Sequence, residues 1–272
     1  MRRGSMHLVG VGVAAAAVGV LVASSASAVT TPRTLALHVT VNGSGTVRLP
    51  GHPAFTCHAH FPTSSHCRHT FQVPKGRRIV IKASPARRWK LWKWTGACHG
   101  SATNCSLRVN ARRFGFVTAS FVPPGDRLNP YPLGTTVTLV GGWRLKVNSV
   151  ILDADAQVEA VMDFGQPANP PPQPGAQYTL VNASLTYVGG GSSSDSSIVA
   201  GSIRAEGQGD APYTTYCIPP GYELGYGTQV FSGQTLTGNL CFEIASNDAA
   251  SLLLTGNGMA GAAELPVWFA LR

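Results

Sequence analysis

Between positions 29 and 124 the chain carries 14 Lys and Arg residues and not one Asp or Glu. No other feature restricts the possible fold so strongly. A stretch of this kind cannot tie itself together with ion pairs. Its cations repel one another in any compact state and must stay at the surface, in water. Apolar packing and covalent links are left to hold it. Between 125 and 272 the balance inverts, with 5 Lys and Arg against 12 Asp and Glu. The formal net charge of +9 therefore averages a strongly basic half and an acidic half. Seven of the eight histidines also fall between 29 and 124. So sharp a break marks a domain boundary around Val122-Pro123-Pro124-Gly125-Asp126, in a chain long enough for two ordinary domains.

The N-terminus has the order of an export signal: Met1-Arg2-Arg3, an apolar run from position 8 to 23, then the small residues Ala26-Ser27-Ala28. Residues 1–28 are expected to be a signal peptide, the alternative being an uncleaved N-terminal anchor. The run is short and rich in Ala and Gly for a membrane span, so no transmembrane segment is expected after cleavage. The expected location is secreted or attached to the cell envelope. Six cysteines in an exported chain favour disulfides over thiols. Sequence does not fix their connectivity, but proximity favours Cys57 with Cys67, Cys98 with Cys105 and Cys217 with Cys241. Loops of about 8 to 25 residues closed in this way contribute about 2.5 to 3.5 kcal/mol each in the chain-entropy account.

Apolar periodicity is that of strands almost throughout. Leu35, Leu37, Val39 and Val41 alternate with Ala36, His38 and Thr40, the period of a half-buried strand. Asn42-Gly43-Ser44-Gly45 supplies a turn and Thr46-Val47-Arg48-Leu49 a return, so 35–49 is expected to be a hairpin. A strand is expected at 78–83 with Ile79 and Ile81 on one side, and a short one at 107–109. A last strand is expected at 114–122 with Phe114, Phe116 and Phe121 toward the core. The acidic half offers seven candidate strands, at 135–140, 143–152, 176–187, 198–204, 236–244, 251–254 and 265–271. Gly, Pro, Asn and Ser clusters separate them, which is the layout of a β-sandwich.

Several of these segments resemble a known bacterial module. They are residues 39–47, Phe71-Gln72-Val73-Pro74-Lys75-Gly76, residues 79–85, Trp94-Thr95-Gly96-Ala97-Cys98 with Cys105, and Val117-Thr118-Ala119-Ser120-Phe121. Together they resemble a divergent internalin-B-type B repeat over nearly all of 34–122. The resemblance implies a small β-grasp-like module serving as a surface or adhesion unit, with cysteines in its first loop that hold no metal, and it implies no activity. The heavy basic decoration departs from the family pattern. In the acidic half, Leu133-Gly134, Val137, Trp143, the long segment 178–187 and the run from Gly233 through Gly238 to Cys241-Phe242 and Ile244 resemble the immunoglobulin-like DUF4352 family. The expected architecture is thus mainly all-β. A disulfide-stapled β-grasp-like module at 34–122 leads through a linker at 123–129 to an immunoglobulin-like β-sandwich at 130–272.

Two clusters carry candidate chemistry. Cys57, His58, His60, His66, Cys67 and His69 combine soft and imidazole ligands that suit zinc. A Cys57–Cys67 disulfide with exposed histidines around it is the competing and preferred reading. Without the cysteines, His58, His60, His66 and His69 remain as a weak surface set. The second cluster interleaves cations with rings: Arg87, Arg88, Trp89, Lys90, Leu91, Trp92, Lys93 and Trp94. On a regular strand Lys90, Trp92 and Trp94 would share one face, and Trp94 is the expected core ring. Exposed rings beside cations stack on sugars or bases while the cations hold phosphate or carboxylate. The candidate ligand-binding residues are Arg77, Arg78, Arg87, Arg88, Lys90, Trp92 and Lys93. Their candidate ligand is an anionic polysaccharide, teichoic acid or other envelope polyanion. The other reading is that the basic and acidic halves dock on each other, within one chain or between copies.

Catalysis finds little support. The histidines and the carboxylates lie in different halves, so a Ser-His-Asp set would have to bridge them. Asp153, Asp155, Glu159 and Asp163 lack the spacing of a calcium loop. Gly189-Gly190-Gly191-Ser192 lacks the lysine and helix of a phosphate loop. The chain is expected to be non-enzymatic and to need no cofactor.

Overall fold

The computed structural model describes residues 33–58, 66–110, 115–209, 211–214, 216–224, 227–260 and 263–272. The expected signal peptide, His60 and Phe114 lie outside the described residues. Eight strands make up the basic half: β1 (Thr34–Asn42), β2 (Gly45–Arg48), β3 (Phe55–Cys57), β4 (His66–Pro74), β5 (Arg78–Pro85), β6 (Lys90–Gly96), β7 (Asn104–Arg108) and β8 (Phe116–Val122). They form two four-stranded sheets, ordered β4-β1-β8-β6 and β3-β2-β5-β7. The first and last strands, β1 and β8, run parallel at the centre of the first sheet. Both sheets turn their apolar residues inward onto one core. Leu37, Val39, Phe71, Leu91, Trp94 and Phe121 come from the first sheet, and Val47, Ile81, Ala83 and Leu107 from the second.

The expected hairpin at 35–49 is not formed. β1 pairs with β4 and β8, whereas β2 pairs with β3 and β5, so Asn42-Gly43-Ser44-Gly45 carries the chain from one sheet to the other. Its glycines serve close packing instead of a hairpin turn. A Cβ on Gly43 would strike the Phe121 carbonyl, and one on Gly45 would enter the Phe121 ring. Phe116, expected in the core, is 72% exposed. It alternates with Val117, Ala119 and Phe121 in the opposite sense, which the period of two dictates once those residues face inward.

The acidic half contains β9 (Thr136–Leu139), β10 (Trp143–Ile151), β11 (Met162–Asp163), β12 (Gln166–Pro167), β13 (Ala176–Tyr187) and β14 (Ser193–Asp195). It continues with β15 (Arg204–Glu206), β16 (Pro212–Tyr213), β17 (Gln229–Phe231), β18 (Thr235–Ala245), β19 (Leu253–Ala260) and β20 (Ala263–Ala270). One layer is β9-β10-β13-β18; β16, β15, β19 and β20 form the other, and the bridge between Leu139 and Gly258 joins them. Trp143, Leu145, Val181, Leu185 and Phe242 of the first layer share a core with Ala205, Leu254 and Phe269 of the second, as expected of a sandwich. The candidate strand at 198–204 instead opens in a short helix, α1 (Ser196–Ala200), and continues through a turn into β15. Asp195 caps it, its Oδ1 accepting from the Ser197 amide at 2.8 Å. Val199, Ala200 and Ile203 still reach the core from that helical turn.

All three disulfides join the cysteines expected from proximity. Three such bonds are the chemistry of a chain that matures outside the reducing cytoplasm. Cys217 lies in a loop, so its bond to Cys241 ties that loop to β18. No helix among the described residues is long and apolar enough to cross a membrane.

The segment between the two halves is ordered by its own hydrogen bonds. Gly125 N donates to Asn129 O at 2.9 Å and Leu128 N to Asp126 Oδ1 at 2.8 Å. Asn129 Nδ2 then donates to the Arg88 carbonyl at 2.8 Å. That bond holds Arg88 at a φ of 66°, in the left-handed region. A side chain there costs about 1–2 kcal/mol, and glycine's extra freedom in the unfolded chain returns about half of that. Arg88→Gly is therefore expected to stabilise the fold by roughly 0.5–1 kcal/mol, read as a rise of about 1–4 °C in thermal midpoint.

Candidate functional site

The seven residues singled out in the sequence are spread from the start of β5 through the turn after it into β6. Arg77 and Arg78 stand at the start of β5; Arg87 and Arg88 occupy the turn beyond its far end. Lys90 Nζ donates to the Leu128 carbonyl at 3.0 Å, which commits it to the joint between the halves. The regular alternation expected for β6 is also broken. A bulge between Leu91 and Lys93 shifts the register against β8, and an extra residue in one strand resets which side chains face inward. Leu91 and Trp94 consequently both point into the core, while Trp92, the inserted residue, is 42% exposed. Lys93 Nζ lies over the Trp92 ring, 3.8 Å from its centroid, a pairing within the chain that the sequence did not predict. Trp89 is half-buried against the core.

The disulfide takes the thiolates out of the zinc reading. Cys57 and Cys67 are bonded to each other, so neither is available as a thiolate. His66 and His69 are three residues apart on β4 and so face opposite sides of the sheet. His69 packs against the Phe55 and Phe71 rings, with centroids 5.0 and 4.6 Å away. Among the described residues no three His, Cys, Asp or Glu side chains converge.

The structure assembles a cationic face that the sequence did not reveal. On the outer side of the β3-β2-β5-β7 sheet, Arg48 of β2 lies directly opposite Lys82 of β5, and Arg78 of β5 directly opposite Arg108 of β7. All four side chains are exposed. Arg78 Nε donates to Ser106 Oγ at 2.7 Å, which steadies that guanidinium on the sheet. Lys82 is four positions on from Arg78, so the two cation pairs stand about 13 Å apart along the strand. Between and beside them lie Thr46, Thr56, Val80, Asn104 and Ser106, none of them charged. Like charges directly opposite on a sheet repel and destabilise it. Here two such pairs sit on one face of a module that contains no carboxylate to offset either.

Among the described residues the acidic half forms no ion pair with any of the four. The salt bridge among the described residues joins Arg127 to Glu206 at 3.0 Å, both in the acidic half. Arg127 also stacks over the Trp268 ring at 4.8 Å. Contacts from the basic half to the joint involve the neutral carbonyls of Arg88 and Leu128.

No protein-family model matches the sequence, and no curated protein matches it either. The resemblances to the internalin-B-type repeat and to DUF4352 therefore rest on the quoted motifs alone. Two solved structures are similar to part of the chain. One is the YjhA protein of Bacillus subtilis, with a TM-score of 0.36 and 14% identity over 52% of this chain and 99% of that one. The other is YcdA, a candidate lipoprotein of Bacillus subtilis, with a TM-score of 0.32 and 13% identity over 50% of this chain and 37% of that one.

Proposed function

We propose that this is an exported, non-enzymatic protein of the bacterial envelope or matrix that binds an anionic polymer through its basic module. The observation that carries the reading is the two pairs of opposed cations, Arg48 with Lys82 and Arg78 with Arg108, on a sheet face without a carboxylate. Such a face is unfavourable alone and becomes favourable when something negative lies across it. An open sheet face with two cation pairs suits an extended chain with repeating charges better than a small ligand that needs a concave pocket. Adhesion follows if the polymer belongs to a surface.

The test uses medium-chain inorganic polyphosphate as the probe and the variant Lys82→Gln/Arg108→Gln, which removes one cation from each pair. Affinity is expected to fall at least about tenfold, while the thermal midpoint of the free variant holds or rises, because a like-charge repulsion worth a few tenths of a kcal/mol is relieved at each pair. A variant that binds polyphosphate as tightly as the parent, or a parent that does not bind it, overturns the reading.

A further inference from the structure

The outer side of the other sheet in the basic half has different chemistry. Phe116 of β8 is 72% exposed there. Its ring stacks with that of His38 on β1, centroids 5.0 Å apart and planes inclined by 23°. His38 Nδ1 is hydrogen-bonded to Thr70 Oγ1 on β4 at 3.0 Å, which fixes the imidazole against the phenyl ring. The two rings therefore make one apolar shelf, already in place without a ligand. Around it the register sets hydroxyls and a cation: Thr40 of β1 lies opposite both Arg68 of β4 and Thr118 of β8. His38, Thr40, Arg68, Thr70 and Phe116 border a cleft of about 540 Å³.

Phe116 differs from a lone exposed ring in being stacked on a second, hydrogen-bonded ring beside a cleft. An aromatic shelf bordered by hydroxyls matches a pyranose ring, which has an apolar C–H face and a rim of hydroxyls. Arg68 adds the requirement of a negative group, since its planar fork pairs with carboxylate or phosphate. No carboxylate of this half repels such a group, since residues 29–124 contain none. We propose that the cleft beside Phe116 and Arg68 binds a single sugar residue bearing an anionic substituent, the C–H face on the shelf and the anion on Arg68. The site is separate from the Arg48, Lys82, Arg78 and Arg108 face, which belongs to the other sheet. It stands or falls independently of the polyanion reading.

The experiment takes the full chain after the first 28 residues and titrates it with digalacturonate, and in parallel with the neutral disaccharide galactobiose, while backbone amide signals are followed by NMR. Digalacturonate is too short to lie across both cation pairs of the opposite face. The shifts are expected to concentrate on His38, Thr70, Phe116 and Thr118. Phe116→Ala is expected to weaken binding at least about tenfold, the scale of lost ring stacking. Because Phe116 lies outside the core, the variant should keep its thermal midpoint. Arg68→Gln should bring the affinity for digalacturonate down to that for galactobiose, and Lys82→Gln/Arg108→Gln should leave it unchanged. Shifts confined to β2, β5 and β7, binding indifferent to Phe116→Ala, no binding by the parent, or equal binding of the charged and neutral sugars would each overturn the proposal.

Discussion

Trp94→Ala is expected to destabilise the basic module by about 3–5 kcal/mol, enough to unfold much of it near body temperature. Trp94 is 2% exposed and among the largest fully buried side chains. Its loss removes packing between the sheets and leaves a void that the surrounding β-structure cannot fully close. Two hydrogen bonds go with its position as well. The Trp94 amide donates to the Gly100 carbonyl at 2.7 Å, and its indole Nε1 donates to the Ala102 carbonyl at 2.8 Å. The backbone bond survives substitution; the indole bond does not. Both end within the loop that the Cys98–Cys105 disulfide closes. The ring and the disulfide thus hold the same loop from two sides. Removing the disulfide by Cys98→Ser/Cys105→Ser is expected to cost about 2.5 kcal/mol by itself. Combined with Trp94→Ala the cost should fall short of the sum, since a loop already released has less order left to lose. Urea denaturation followed by circular dichroism measures each arm of this cycle. A Trp94→Ala cost below about 1 kcal/mol would mean that the two sheets do not depend on this ring.

The strands were legible wherever one face is buried and the other wet, because burial then writes a period of two into the residues. β13, at Ala176–Tyr187, agrees with the sequence reading at both ends. The charge asymmetry and the cysteine pairs were equally local and equally readable. What escaped was decided by partners far along the chain. The segment 42–45 has hairpin turn chemistry, yet its glycines answer to Phe121, nearly eighty positions away. The bulge at Trp92 depends on how β6 meets β8, and no neighbour of Trp92 in sequence announces it. Asp195-Ser196-Ser197 is a helix-start signal that the apolar run after it obscured. The candidate site shows the same limit. Arg78 was picked out for its place in a basic run, but the residues that make it part of a cationic face are Lys82, Arg48 and Arg108. Each reads alone as an ordinary solvated charge until the register of β2, β5 and β7 sets them side by side.

Polyphosphate binding is expected to weaken roughly 50- to 150-fold between about 50 and 200 mM monovalent salt, if all four face cations displace counterions with the efficiency known for nucleic acids. The magnitude follows from the count of engaged charges, so the salt dependence identifies which cations bind. Arg48→Gln/Lys82→Gln removes one whole pair and should halve the logarithmic slope; Arg78→Gln/Arg108→Gln should do the same. Arg87→Gln/Lys93→Gln removes as much charge from the turn and the bulge, where the sequence had placed the site, and should leave the slope close to that of the parent. This comparison separates a defined face from a diffuse field. A module that attracted polyanions by net charge alone would lose a similar share of slope in all three variants, since each lowers the net charge by the same two units. The distinction is physical: opposed cations at sheet register are held at fixed spacing by the backbone, whereas Arg87 stands on a turn and Lys93 is already engaged over the Trp92 ring. Equal slopes for the three variants would mean that the register of β2, β5 and β7 contributes nothing to recognition.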